Sequence, residues 1–168
     1  MSKALPSFSS LQTNYPTDDS ATVIQNIGGE VTQPWVGVNT CVMRMSKAFN
    51  YAGPAFKIPG SSQGFLTVKG ADRLNYGIRV MEFIDFLQNT YKIPDIMKTG
   101  AAMTADTFKD KKGIIAWLID GWSDARGHFT LWDGSTGLFQ GGHDYFTDFG
   151  PGTPSNKPHM TAVKFWTC

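Results

Sequence analysis

Apolar residues recur with two different periods along the chain, helical through most of the first two thirds and strand-like after it. Ser7 to Asn14 reads as a short first helix ended by "NYPTDD", and Ser20 to Asn26 as a second, closed by Gly28-Gly29. "GEVTQPWVGVN" is irregular, broken by Pro34 and two glycines. From Cys41 to Asn50, Val42, Met45, Ala48 and Phe49 return at near-helical spacing, and Arg44, Lys47 and Asn50 fall mostly off that face. Ala55 to Lys69 is rich in Gly and Ser and reads as a surface excursion, with a strand-like piece at Phe65 to Val68. Tyr76 to Tyr91 predicts a long helix with Ile78, Met81, Phe83, Ile84, Leu87 and Tyr91 on its apolar face and Pro94 limiting its end. Thr104 to Phe108 predicts one further turn of helix.

The pattern then changes. "GIIAWLID", Gly113 to Asp120, is a continuous apolar run between breakers, as in a strand buried on both faces. "GHFTLWDGS", Gly127 to Ser135, alternates and ends in Asp133-Gly134, a hairpin signal, with Thr136 to Gly142 as the returning strand. Thr161 to Cys168 is a last strand. Helices first and an antiparallel sheet second predict an α+β fold. With no internal repeat, low-complexity tract or linker, residues 1–168 read as a single domain.

Composition narrows the function. At 41% hydrophobic and 17% charged residues the chain reads as an ordinary globular protein. A net charge of +1 with scattered Lys and Arg gives no electrostatic footprint for nucleic acid. The densest cluster, Lys109-Asp110-Lys111-Lys112, reads as a solvated loop before a strand. No apolar run approaches a membrane span. "MSKALPSFSSLQTNYPTDDS" has no signal-peptide core, so synthesis in the cytoplasm without ordinary export is expected.

The two cysteines, Cys41 and Cys168, are too few for a disulfide framework and lack zinc spacing; a single bridge between them is an alternative that geometry decides. Cys41 follows Asn39-Thr40, two good N-cap residues, and opens a helix. A thiol there lies near unpaired backbone N–H groups and the positive helix end, which favours the thiolate. The same position also suits a small buried hydrophobe. A cysteine nucleophile needs a base and the base an orienting group. Of His128, His143 and His159, His128 opens a rigid strand, and the other two lie in loop-like sequence. A turn centred on Gly134 would place Gln140 opposite His128, where its amide oxygen could accept the imidazole N–H. Asp144 is the fallback, ahead of Asp133 and Asp124. Metal chemistry is a weaker rival: "GGHDYFTD" offers His143, Asp144 and Asp148 but no recognised ligand spacing. Asp18-Asp19 reads as a turn or helix-capping acid.

Three segments carry a resemblance. "NTCVMRMSKAFNYAG", "GADRLNYGIRVMEFIDFL" and, most specifically, "KKGIIAWLIDGWSDARGHFTLWDGS" resemble the type VI secretion amidase effectors of family 4, which are NlpC-type papain-like cysteine peptidases. The likeness spans much of Asn39 to Ser135; the N-terminal part and the last thirty or so residues match only in general character. It implies a papain-like α+β amidase that cleaves peptidoglycan peptide stems between the γ-carboxyl of D-glutamate and meso-diaminopimelate. It also implies delivery by the type VI apparatus into the periplasm of rival bacteria and restraint by a cognate periplasmic immunity protein; the chemistry needs no cofactor or metal, and charge and hydropathy call for no nucleic acid and no membrane insertion. By the same resemblance Cys41 is the nucleophile and His128 the base. Family members carry an Asp on the strand after the "LW-G" turn; here that strand reads "TGLFQGG", leaving Gln140 or Asp144 for the third role.

The implied chemistry gives the Cys41 N–H the oxyanion, with a second donor from Trp35 to Asn39. Arg44, Arg126 and Lys69 are candidates for orienting substrate carboxylates, each also readable as surface charge. Trp122, Tyr51 and Trp35 suit either the lining of a substrate groove or the core, and core is the favoured reading for most of them. Two other readings stay open: an inactive papain-like binding module, since fold does not fix function, and another NlpC-type wall hydrolase or transamidase.

Overall fold

The structure is a computed structural model that describes residues 3–123, 125–136, 138–140 and 145–168, the side chains of 138–140 excepted. The chain divides into two compact units, Met1–Lys92 and Ile93–Cys168.

Helices dominate the first unit: α1 (Phe8–Asn14), α2 (Ser20–Ile27), α3 (Cys41–Tyr51) and α4 (Val80–Thr90), with a two-stranded antiparallel ribbon of β1 (Thr67–Lys69) and β2 (Asn75–Gly77). Asp19 caps α2, its Oδ1 accepting the Thr22 N–H at 2.9 Å, and this bond leads the effects that hold its carboxyl below the usual value. Gly28 ends α2 at φ +64°. At Gly29 a Cβ would lie 2.6 Å from the Lys69 carbonyl oxygen, so the backbone approach to β1 requires glycine.

Helix α3 is buried almost all round, including Arg44, Ser46 and Asn50, and not on one face as periodicity suggested. The polar groups are there to satisfy backbone. Ser46 Oγ accepts the Gly77 N–H at 3.0 Å; Asn50 donates to the Asn75 carbonyl at 2.8 Å and accepts the Ile58 N–H at 2.9 Å. An aromatic cluster packs beside it, with Phe49 edge-on to Phe83 at 5.9 Å and to Tyr91 at 5.6 Å, and Phe65 stacked on Phe86 at 4.8 Å.

The expected helix from Tyr76 starts four residues late. Tyr76 Oη donates to Asp72 Oδ2 at 2.6 Å and the Gly77 N–H is taken by Ser46, so tertiary bonds hold this stretch extended in β2. Met81, placed on the apolar face by periodicity, is 39% exposed.

The second unit is a five-stranded antiparallel sheet ordered β3-β7-β4-β5-β6, from β3 (Ile96–Lys98), β4 (Lys112–Asp120), β5 (Gly127–Asp133), β6 (Leu138–Gln140) and β7 (His159–Thr167). Strand β4 is buried on both faces, as its unbroken apolar run predicts. One face carries Ile115, Trp117, Trp132, Val163 and Phe165, packed with Met103, Phe108 and the short helix α5 (Tyr145–Phe149). Neither β3 nor α5 was expected: each is short, and "GGHDYFTD" reads as loop. His159, expected in a loop, opens β7. The order of helices and then antiparallel sheet is the expected α+β arrangement. No helix among the described residues is long and apolar enough to cross a membrane.

Glu82 supplies a stability test. Its Oε2 accepts the Leu66 N–H at 2.7 Å and its Oε1 pairs with Arg79 at 2.8 Å. Burial raises this carboxyl, and the two bonds outweigh burial, leaving it below its ordinary 4.5. A carboxyl lowered by folding stabilises above its unfolded pKa, and the effect fades as pH falls through the folded value. Glu82→Ala should therefore cost about 1–2 kcal/mol at pH 7 by urea unfolding, and the gap to wild type should close below pH 4.5.

Candidate active site

Cys41 is the first residue of α3 and is 2% exposed. Both cysteines are thiols, Cys168 being half-buried, so the structure holds no bridge between them. The start of α3 departs from a simple N-cap. Thr40 occupies the capping position without a side-chain bond to the helix's N–H groups. Its hydroxyl instead accepts from Arg44 Nε at 3.0 Å and lies 3.1 Å from Ser20 Oγ. Arg44 Nη1 donates to the Pro16 carbonyl at 3.0 Å. Asn39 takes over part of the capping, its Oδ1 accepting the N–H of Cys41 itself at 3.3 Å.

Arg44 is thus 7% exposed and bonded to its own unit, which removes it from the residues expected to orient a substrate carboxylate or to sit on the surface. Spacing carries the signal for this bond: Thr40 and Arg44 stand at i and i+4, neighbours on one helical face. Arg126 and Lys69 are exposed. So are Trp35 at 62% and Tyr51 at 47%, against the expectation of core. Tyr51 donates to Asp72 Oδ2 at 2.9 Å, with the Lys47 and Lys57 ammonium groups 5.9 and 5.4 Å from its ring centre. Trp122 is half-buried against Tyr145 and Phe149.

His128 is the second residue of β5, directly across from Trp117 on β4. Its ring is half-buried, stacks on Trp117 at 6.0 Å, and meets the ring of Tyr145 at 4.6 Å. Two aromatic planes therefore limit how the imidazole can turn, a role for Tyr145 and Trp117 that sequence reading did not find.

The hairpin register corrects the argument for Gln140. Leu131, not His128, faces Gln140 across β5 and β6. Positions 128 and 131 differ by an odd number and so belong to opposite faces of β5. The turn is not centred on Gly134. Asp133 Oδ1 accepts the Ser135 N–H at 3.1 Å and its hydroxyl at 2.6 Å, and the Gly134 N–H reaches the Lys111 carbonyl at 2.8 Å. These bonds lengthen the turn beyond a two-residue hairpin. Asp133 also pairs with Lys112 at 2.9 Å, which ties its carboxylate to the turn. Asp144, Asp124 and His143 lie outside the described residues. Among the described residues no three His, Cys, Asp or Glu side chains gather in a way that could hold a metal ion.

Residues 38–166, which include the α3 thiol and the β5 imidazole, match the model of "Type VI secretion system (T6SS), amidase effector protein 4". The chain belongs to the Tae4 family. It is a type VI amidase effector, an antibacterial enzyme of the cysteine hydrolase class directed at peptidoglycan. The Tae4 effector of Enterobacter cloacae is 29% identical, with a TM-score of 0.81 over 99% of each chain. A Salmonella typhimurium Tae4, solved in complex with the immunity protein Tai4 from Enterobacter cloacae, is 32% identical, with a TM-score of 0.79 over 97% of this chain and 99% of that one. An Enterobacter cloacae Tae4–Tai4 effector–immunity complex matches at 29% identity and a TM-score of 0.79, over 97% of this chain and 98% of the other. No curated protein sequence matches the chain.

The bond between Thr40 and Arg44 can be weighed by a double-mutant cycle. Thr40→Val and Arg44→Ala should each cost about 1–3 kcal/mol in urea unfolding. The double variant should cost less than their sum, because both remove the same bond.

Proposed function

We propose that this Tae4 member hydrolyses the amide between the γ-carboxyl of D-glutamate and meso-diaminopimelate in Gram-negative peptide stems, acting in the periplasm of the attacked cell. The observation that carries the reading is the place of Cys41 at the head of an 11-residue buried helix, inside the span that matches the family model. There the helix end favours a thiolate, and the residue's own N–H can receive the developing oxyanion.

In this mechanism His128 removes the proton from Cys41 Sγ and the thiolate attacks the γ-glutamyl carbonyl carbon. The tetrahedral intermediate collapses, and the imidazolium gives its proton to the leaving diaminopimelate nitrogen. Water, deprotonated by His128, then attacks the thioester, releasing the glutamate γ-carboxylate and restoring the thiol. Protons move only among Cys41, His128, the leaving amine and water, and the Cys41 backbone N–H holds the oxyanion. With Gln140 facing Leu131, we assign to Asp144 the task of orienting His128. A carboxylate suits it, since it fixes the tautomer and stabilises the imidazolium. A cognate immunity protein restrains the enzyme in its producers, a reading supported by the relatives solved with Tai4.

Digestion of purified Gram-negative peptidoglycan, with products read by mass spectrometry, tests the bond. Wild type should release fragments ending in D-glutamate, and Cys41→Ala none. Intact muropeptides with both proteins under reducing conditions would overturn the reading in favour of a binding module. His128→Ala should lower the rate by about 10³-fold or more. Asp144→Asn should be slowed far more than Gln140→Ala, and the reverse order would return the third role to Gln140.

A further inference from the structure

The carboxamide of Asn39 stands in contact with the one backbone group that the proposed chemistry needs vacant. Its Oδ1 accepts the Cys41 N–H at 3.3 Å, a long bond for an amide donor. An oxyanion formed at the scissile carbonyl must take that N–H, so the carboxamide oxygen has to leave when the tetrahedral intermediate forms. Asn39 is half-buried, whereas the next residue, Thr40, is 4% exposed with its hydroxyl committed to Arg44 and Ser20. Of the two polar side chains beside the nucleophile's N–H, Asn39 is therefore the one able to turn. A carboxamide carries an acceptor and two donors on the same rotating group. Turning about its last torsion exchanges the oxygen for the NH2, and the group that held the N–H in the resting enzyme can then face the same anion as a second donor.

We propose that Asn39 is a catalytic residue of this amidase: it caps the Cys41 N–H through Oδ1 at rest and donates to the oxyanion through Nδ2 during acyl transfer. The inference rests on the cysteine-amidase reading above. Proton bookkeeping is unchanged, because Asn39 gives hydrogen bonds and no proton.

The test separates oxyanion chemistry from thiol chemistry. Alkylation of Cys41 by iodoacetamide is a displacement at saturated carbon and forms no oxyanion; stem hydrolysis does. Each variant's hydrolysis kcat is divided by its own alkylation rate. Asn39→Ala should lower that ratio about 100-fold, the scale of a lost oxyanion donor, with KM little changed. Asn39→Asp keeps an acceptor for the resting bond and has no donor, so its ratio should fall at least as far. A ratio for Asn39→Ala equal to or above wild type would overturn the proposal and leave Asn39 as a cap only. Equal losses in alkylation and hydrolysis would overturn it too, by showing a disturbed thiol. If wild type leaves muropeptides intact although iodoacetamide labels Cys41, the amidase reading itself fails, an outcome distinct from either of these.

Discussion

Arg44 donates to the hydroxyl of Thr40 and to the carbonyl of Pro16 from a site almost closed to solvent. A buried guanidinium must find acceptors or impose a desolvation cost of several kcal/mol, and here the acceptors come from the residue before Cys41 and from the turn between α1 and α2. The bonds lock the head of α3 to that turn, and Ser20 at the start of α2 joins through the same hydroxyl. Because Thr40 is occupied this way, capping passes to Asn39, and the N–H it reaches belongs to Cys41. The geometry around the thiol thus follows from where one cation puts its hydrogen bonds.

Helix α3 shows the same economy further along. Ser46 and Asn50 would read as solvent-facing in an ordinary amphipathic helix. They are buried because a strand and a loop bring their own backbone groups to the helix and need partners there. Asp72 does comparable work outside the helix. It gathers the hydroxyls of Tyr51 and Tyr76 and the Leu74 N–H, and these bonds outweigh burial and keep its carboxyl below the usual range. Tyr76 is pushed the other way, first by burial and then by that carboxylate.

What could be read from sequence divides along physical lines. Long apolar runs and sharp helix periods report local burial, so α1, α2, α3, β4, β5 and β7 were legible within a few residues. The Asp19 cap was legible because capping is local chemistry. The extended start before α4 was hidden, since bonds from Asp72 and Ser46 override a helical pattern there. Strand β3 was hidden because three residues at a sheet edge carry no period. At the candidate site, Cys41 and His128 stand out as residue types in suggestive places, and resemblance gave them roles. Arg44 was misread because an arginine usually marks surface. The pairing of Gln140 failed because the strands join through a longer turn, held by the side-chain bonds of Asp133 to Ser135, which sequence symmetry cannot weigh.

Strand order has a consequence for how this toxin is completed during synthesis. β7 is the last strand in sequence, yet it lies between β3 and β4, and among the described residues β3 pairs with β7 alone. A chain emerging from the ribosome can form α1 to α4 early, with the thiol of Cys41 in place. The β5 strand that carries His128 stays in an incomplete sheet until residues 159–167 are released. Nascent and prematurely ended chains therefore carry the Cys41 helix together with an unfinished sheet around His128. The last strand to be made is an interior one, so the sheet that carries His128 is complete only after residues 159–167 have been added.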